Sequence, residues 1–219
     1  MPVFQPLRNS LRVVALGLCL AGPLAPSPGQ SAEAQLLVPD APAELTQRLQ
    51  AASTVLAAGP ESDVQDLLAA ALSDYRTLVQ VLYDAGHFAP QVSIKLDGRE
   101  AAGIQPLNPP RQIDRIKITV TPGPAFRFSR AEISPWPAKS DVDVPEGFAP
   151  GRPANTPVLR DTSAAGVEAW RRAGHAKVRL SAQAITADHR NATLDARLHL
   201  APGPRLRFGA LRLTTPSTV

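Results

Sequence analysis

The segment Thr121-Pro122-Gly123-Pro124-Ala125-Phe126-Arg127-Phe128 returns about eighty residues later as Ala201-Pro202-Gly203-Pro204-Arg205-Leu206-Arg207-Phe208. Both copies lie between segments in which apolar and polar residues alternate, a pattern typical of β-strands with one buried and one exposed face. A Pro-Gly-Pro tripeptide cannot continue a β-ladder, because proline lacks the N–H group that the ladder requires. The repeat therefore predicts a unit of strand, rigid turn and strand that occurs twice.

The repeated unit extends upstream of the turn. Ala85-Gly86-His87 and Ala173-Gly174-His175 each end a helical segment and precede an alternating one, although Phe88 follows the first histidine and Ala176 the second. A period of about 80 to 90 residues is too long for a solenoid repeat and favours two small tandem domains.

Composition and charge narrow the function classes. The chain has 219 residues, a formal net charge of +4 and an aromatic content of 5%. Its basic residues are scattered and do not form the stripe with stacking aromatics that a nucleic-acid surface needs. We therefore expect no nucleic-acid partner.

The N-terminus predicts export. Arg8 and Arg12 precede an apolar run from Val13 to Ala21, and a spacer then ends in Ala32-Glu33-Ala34. This pattern is typical of a secretory signal peptide, which we predict to span residues 1–34, and the apolar run is too short for a permanent membrane-spanning helix. Cys19 is the only cysteine, so the mature chain is expected to have neither disulfide nor thiol chemistry.

Residues 35–122 are predicted to form a first module with the order strand, helix, helix, strand, strand. Asp40 is expected to cap the first helix, and Ser62 with Gln65 to form a capping box for the second. A loop is predicted for residues 97–111. The strands are predicted from Gln35 to Val38, at Val92, Ile94 and Leu96, and from Ile113 to Thr121.

Residues 123–202 are predicted to form a second module. A break in the alternation between Phe128 and Ile133 indicates a bulge in its first strand. Five prolines between Ser134 and Asn155 exclude a full first helix, so only the helix from Pro157 to Ala173 is expected. The next strand alternates through Val178, Leu180, Ala182 and Ala184, and the closing strand runs from Thr193 to Ala201. Residues 203–219 are expected to begin a third module, with Leu206, Phe208, Leu211 and Leu213 as its apolar positions.

This order of elements resembles the POTRA (polypeptide-transport-associated) domains of the outer-membrane barrel-assembly superfamily, and within it the periplasmic arm of TamA-like proteins. The matching segments are Tyr83 to Phe88, Thr121 to Phe128, Gly166 to His175 and Ala201 to Gly209. The resemblance implies an α+β fold of two tandem modules, each a three-stranded sheet with helices on one face. The degenerate first helix of the second module departs from the family, as does the lack of a third module and a barrel. We therefore expect a truncated TamA-like protein or a free-standing arm.

The resemblance also implies a function. It implies a non-enzymatic arm on the periplasmic side of the outer membrane that assists the assembly of outer-membrane or autotransporter proteins. The implied partners are a TamB-like protein anchored in the inner membrane and unfolded client polypeptides, and contact with the outer membrane would need a barrel that this chain lacks. The alternatives are a free-standing periplasmic α+β binding protein or hydrolase, and the arm of a two-partner secretion transporter or of the main barrel-assembly protein.

In POTRA modules the second strand lies at a sheet edge, where it can accept another extended chain by β-augmentation. The resemblance therefore places the candidate partner-binding residues on two edge strands. They are Val92, Ile94 and Leu96 in the first module and Val178, Leu180, Ala182 and Ala184 in the second.

No catalytic or metal-binding pattern occurs in the sequence. His87, His175, His189 and His199 lack the i, i+4 spacing of a helical metal site, and HExxH, G-x-S-x-G and phosphate-loop motifs are absent. His87 and His175 occupy equivalent repeat positions, which favours a role in the turn. We expect no enzyme activity, no cofactor and no metal.

Overall fold

The computed structural model of the protein describes residues 32–59, 61–207 and 209. Nearly all of the predicted signal peptide therefore lies outside the described residues, as do Phe208, Leu211 and Leu213 of the predicted third module. In chain order the elements are β1 (Glu33–Leu37), α1 (Ala43–Ala52), α2 (Thr54–Ala57), α3 (Val64–Asp84), β2 (Gln91–Leu96), β3 (Arg99–Glu100), β4 (Arg115–Thr121), β5 (Arg127–Ser134), α4 (Thr156–Arg172), β6 (Arg179–Asp188) and β7 (Thr193–Ala201).

The described strands form two mixed sheets that share one three-strand arrangement, to which the first sheet adds the two-residue strand β3. The order is β1-β4-β2-β3 in the first sheet and β5-β7-β6 in the second, so the last long strand of each module is central. The first strand pairs with it in parallel and the second pairs with it antiparallel. Ile116, Ile118 and Val120 on β4 are buried while their neighbours are more exposed, as expected when helices cover one face. The α+β prediction is confirmed.

Each sheet has its own hydrophobic core. In the first, leucines of α1 and α3 pack against β2 and β4, and in the second, Phe126, Phe128 and Phe148 pack against β7. Phe88 and Ala89 precede β2 in the chain, yet they pack against the second core. The segment that enters β2 therefore links the two modules.

Helix starts in the first module differ from the sequence prediction. Asp40 has a φ of 59°, so it cannot act as an N-cap, and α1 begins after Pro42 instead. Asp63, and not Ser62, caps α3 by accepting a hydrogen bond from the N–H of Asp66 at 2.8 Å. At α3 two short polar residues compete for the cap position and sequence alone does not rank them, whereas α1 starts without a side-chain cap.

The segment predicted as a loop at residues 97–111 contains regular structure. The two-residue turn Asp97-Gly98 has positive φ at both positions, 47° and 84°, which is the geometry of a tight hairpin. It joins β2 to β3, which pairs Lys95 with Glu100 and Leu96 with Arg99, and a short 3-10 helix follows at Ala101–Gly103. The Asp-Gly pair carried this signal in the sequence.

The second module has a single described helix. No helix occurs between β5 and α4, as the prolines of that segment predict, and α4 begins after Asn155, which accepts a hydrogen bond from the N–H of Val158 at 2.9 Å. The bulge predicted in the first strand lies between Phe128 and Arg130.

The first strand begins inside the predicted signal peptide. Glu33 and Ala34 belong to β1 and pair with Arg115 and Ile116 of β4. Cleavage after Ala34 would therefore remove two residues of an ordered strand, whereas a cut before Ala32 would leave β1 intact.

Candidate functional site

The longest open sheet edge in the described part of the chain belongs to β6. This strand has 10 residues and pairs only with β7, so its other side faces no described strand. In an antiparallel ladder successive residues turn their N–H and C=O groups to opposite sides. About half of the residues of β6 therefore present a donor and an acceptor outward.

A β-bulge at Ser181 sets which side chains of β6 face the helix. Leu180 pairs with Leu200 and Ala182 with His199, so Ser181 is an extra residue. Beyond the bulge, Gln183 and Ile185 face the α4 side, while Ala182 and Ala184 line the opposite surface with His199. The predicted alternation through Val178, Leu180, Ala182 and Ala184 is therefore wrong beyond Leu180.

The predicted edge residues of the second module occupy three different environments. Val178 precedes β6 and is 6% exposed, so it belongs to the interior. Leu180 is half-buried on the helix side, and Ala182 and Ala184 are exposed on the open face. All but Val178 lie on the open-edged strand.

The edge of β2 is less open. Leu96 pairs with Arg99 of β3, so one end of the strand is covered by the chain itself. The side chain of Ile94 is fully buried, and its N–H donates to Glu100 Oε1 at 3.0 Å. Its carbonyl oxygen lies 3.3 Å from the Tyr75 hydroxyl, whose single proton it shares with Glu100 as the more distant acceptor. By strand alternation Val92 also faces outward, and it has no described backbone partner on that side.

A small polar cluster around Glu100 closes this edge. Glu100 accepts hydrogen bonds from the Tyr75 hydroxyl, from Ser93 Oγ at 2.8 Å and from the Ile94 N–H. Burial acts to raise the pKa of Glu100, but these hydrogen bonds lower it below its ordinary value. Burial and the hydrogen bond with Glu100 raise the pKa of Tyr75 to about 12. Ionised Glu100 and protonated Tyr75 therefore occupy the backbone groups that an added strand would need.

The remaining edge strands are β1 and β5. β1 has 5 residues, half the length of β6. β5 is partly covered, because the N–H of Phe128 donates to the Arg152 carbonyl at 2.9 Å and the N–H of Gly151 donates to the Phe128 carbonyl at 2.7 Å. Among the edges of the described residues, β6 offers the longest run of free backbone groups.

The repeated Gly-His and Pro-Gly-Pro steps meet in space. His87 Nδ1 donates to the carbonyl oxygen of Gly123 at 2.9 Å, and the N–H of Phe126 donates to the Gly86 carbonyl at 2.9 Å. The second copy repeats both bonds: His175 Nδ1 to Gly203 at 2.9 Å and Leu206 N–H to Gly174 at 2.9 Å. We call this four-residue arrangement the histidine clasp.

The clasp explains why the repeat contains its glycines. Gly86 and Gly123 have φ values of 89° and 72°, a region that favours glycine. A Cβ atom on Gly86 would lie 2.6 Å from the carbonyl oxygen of Ala154, in the second module, and one on Gly123 would lie 2.8 Å from that of Ala89. The clasp therefore brings backbone from both modules into close contact.

The described residues lack both a metal-binding cluster and a membrane-spanning helix. No group of three or more His, Cys, Asp or Glu side chains there is arranged to hold a metal ion. No helix among those residues has the length and apolar character needed to cross a membrane.

The fold and its edges define a class of protein: tandem α+β modules, each with a mixed sheet and a central last strand, with one long open sheet edge at β6. Solved structures similar to this chain include POTRA domains 3–5 of Haemophilus influenzae BamA, with a TM-score of 0.48 and 14% identity over 86% of this chain and 72% of that one. POTRA domains 1–3 of Omp85 from Anabaena are similar with a TM-score of 0.43 and 14% identity, over 79% and 61% of the two chains. The N-terminal domain of Omp85 from Thermosynechococcus elongatus gives 0.43 and 17%, over 78% and 63%. No family model and no curated protein matches the sequence.

Proposed function

We propose that this chain is a non-enzymatic POTRA arm of a TamA-like outer-membrane assembly factor, exported to the periplasmic side of that membrane. In this role it binds extended segments of client polypeptides as additional strands on β6. The observation that carries the proposal is the outer edge of this 10-residue strand, which pairs with no described residue.

Backbone pairing suits a client-binding role, because every extended chain offers the same N–H and C=O groups. About five outward residues of β6 can each exchange hydrogen bonds with an added strand, and each bond contributes about 0.5–1.5 kcal/mol net. Such binding is modest in affinity and tolerant of sequence.

The first module contributes less to strand addition in this proposal. The groups at Ile94 already have partners in Glu100 and Tyr75, and Leu96 pairs with β3. Of the edge residues predicted there, Val92 keeps free outward groups. The β6 edge is therefore the proposed main client site.

The assignment to a TamA-like protein in particular is supported by the sequence resemblance. The Gly-His and Pro-Gly-Pro steps, at 86–87 and 122–124 and again at 174–175 and 202–204, support a TamA-like arm. A TamB-like protein anchored in the inner membrane is its proposed partner. Copurification of the chain with the periplasmic part of such a protein tests that pairing.

N-methylation of a model client tests strand addition directly. A labelled ten-residue peptide of alternating apolar and polar residues is compared with two forms that carry N-methyl groups on its odd or its even amides. A strand paired along one side loses its hydrogen bonds in only one of these forms, so we expect one to bind at least about tenfold more weakly and the other to bind almost normally.

Fluorescence anisotropy gives the three dissociation constants. Equal affinities for all three peptides would show that backbone pairing is not the mode of binding. Absence of binding by the unmodified peptide would reject the client-binding function itself.

A further inference from the structure

An apolar groove runs beside the open edge of β6 on the side of α4. Its volume is about 520 Å³, and its walls include Leu159 of α4 and Leu180 and Ile185 of β6. Ile185 is 41% exposed although it lies on the side of β6 that faces α4. The groove therefore lies where the side chains of an added strand would project.

The other wall of the groove comes from the first module. Tyr83, at the end of α3, and Phe88 both line it. Their ring centroids are 5.2 Å apart, and the Phe88 ring meets Phe126 of the second core edge to face at 5.5 Å. This aromatic pair is thus held at the junction, and the groove is complete only when both modules are in place.

Strand geometry limits what can occupy the groove. Side chains of an extended chain alternate between the two faces of a sheet, so only every second residue of an added strand would reach it. The residues between them would project from the opposite face of the sheet, over Ala182 and Ala184. The surface there is open and polar, and it also includes Glu132 and His199. The two faces therefore favour different residue types.

One charged side chain lines the groove. It belongs to Arg160, whose side chain is 69% exposed and forms a 3.4 Å ion pair with Asp161, which is 63% exposed. A pair this exposed stays available to other partners, because solvent screening leaves it weak. An acidic side chain on the client would complement Arg160.

We propose that this groove is a selectivity pocket, which prefers extended clients with large apolar side chains at alternate positions and an acidic residue beside them. The inference rests on the proposed function, because the client must lie on β6 for its side chains to enter. It adds Tyr83, Phe88, Leu159, Ile185 and Arg160 as selectivity residues, of which two belong to the first module.

A peptide pair tests the pocket separately from the edge. Two labelled ten-residue peptides share every polar position, including one glutamate, and carry either phenylalanine or serine at alternate positions. Burial of the aromatic rings predicts that the whole chain binds the phenylalanine peptide at least about tenfold more tightly than the serine peptide.

Variants then locate the preference. Ile185→Ser and Phe88→Ser are expected to remove most of it, whereas Ala184→Ser, on the same strand but the opposite face, should leave it unchanged. Arg160→Glu should weaken binding of the glutamate-containing peptide by about threefold or more and improve binding of its lysine counterpart. Thermal unfolding followed by circular dichroism shows whether each variant is folded. If Phe88→Ser does not fold, the test depends on Ile185→Ser, because Ile185 is exposed.

Each outcome has a separate meaning. Equal affinity for the two peptides would overturn the pocket and leave strand addition intact. A preference that survives Ile185→Ser, or that Ala184→Ser removes to the same extent, would also overturn it. If neither peptide binds, both the pocket and the proposed function fail.

Discussion

A single buried carboxylate organises the helical layer of the first module. Asp74 is fully buried, and its oxygens accept hydrogen bonds from Ser53 Oγ at 2.5 Å and from the N–H groups of Thr54 and Val55 at 2.8 and 3.2 Å. These N–H groups belong to the first turn of α2, where no carbonyl of the helix is in position to accept their hydrogen bonds. Asp74 on α3 therefore caps the N-terminus of the neighbouring helix α2. Ser53 is the residue between α1 and α2.

Loss of this carboxylate should destabilise the fold. We expect Asp74→Ala to lower the free energy of unfolding by about 2 kcal/mol or more, because three donors, two of them in buried residues, lose their partner. Urea unfolding followed by circular dichroism measures the change. The matched control is Asp66→Asn on the exposed side of the same helix, which should cost at most about 0.5 kcal/mol. Equal effects of the two substitutions would contradict the capping role.

At the scale of elements, strand order was predictable and register was not. Alternation and the Pro-Gly-Pro turns located β4, β5 and β7 because their buried faces are strongly apolar. The sequence of β6 is weakly apolar and did not indicate which residues face the helix, because alanine is compatible with either face. The bulge at Ser181 places Ala182 and Ala184 on the open face. Register is weakly specified in such strands.

Closure of the β2 edge was also hidden from the sequence. It depends on Glu100, which approaches Ile94 only because the Asp97-Gly98 hairpin folds β3 back on β2. Side chains placed in this way are one means of keeping a sheet edge from pairing with other chains. The prediction of a candidate edge strand in each module did not include this effect.

Removal of the carboxylate should open that edge. In Glu100→Ala the amide of Ile94 loses its acceptor, so we expect its hydrogen exchange to become at least about tenfold faster. Glu100→Gln keeps an oxygen that can accept the bond and should exchange at a rate close to that of the original protein. Exchange followed by NMR gives both rates, and an unchanged rate in Glu100→Ala would mean that another group protects this edge.

At the scale of the whole molecule, the histidine clasp is the structural counterpart of the sequence repeat, since each copy of the repeat forms the same hydrogen bonds. The repeat predicted that His87 and His175 occupy equivalent turn positions. It did not predict their hydrogen-bond acceptors, Gly123 and Gly203, which lie 36 and 28 residues further along the chain. Only the folded chain brings them together. The passage of Phe88 into the second core was equally hidden, because its place in the chain assigns it to the first module.

The clasp should control how the two modules sit relative to each other. His87→Ala removes the 2.9 Å bond to Gly123 but touches neither core, so we expect both modules to remain folded while their relative orientation becomes broader. Residual dipolar couplings measured on the whole chain report this as different alignment tensors for the two modules. His199→Ala, an exposed change on β7, is the control and should leave a common tensor.

The same substitution links the clasp to client selection. Tyr83 and Phe88 form one wall of the groove, so a looser joint should weaken binding of the phenylalanine peptide while binding of the serine peptide, which needs only the β6 edge, stays the same. Gly86→Ala should have the larger effect, because its Cβ would lie 2.6 Å from the Ala154 carbonyl oxygen at a φ of 89°. If the orientation broadens and the peptide preference does not change, the wall supplied by the first module plays no part in selection.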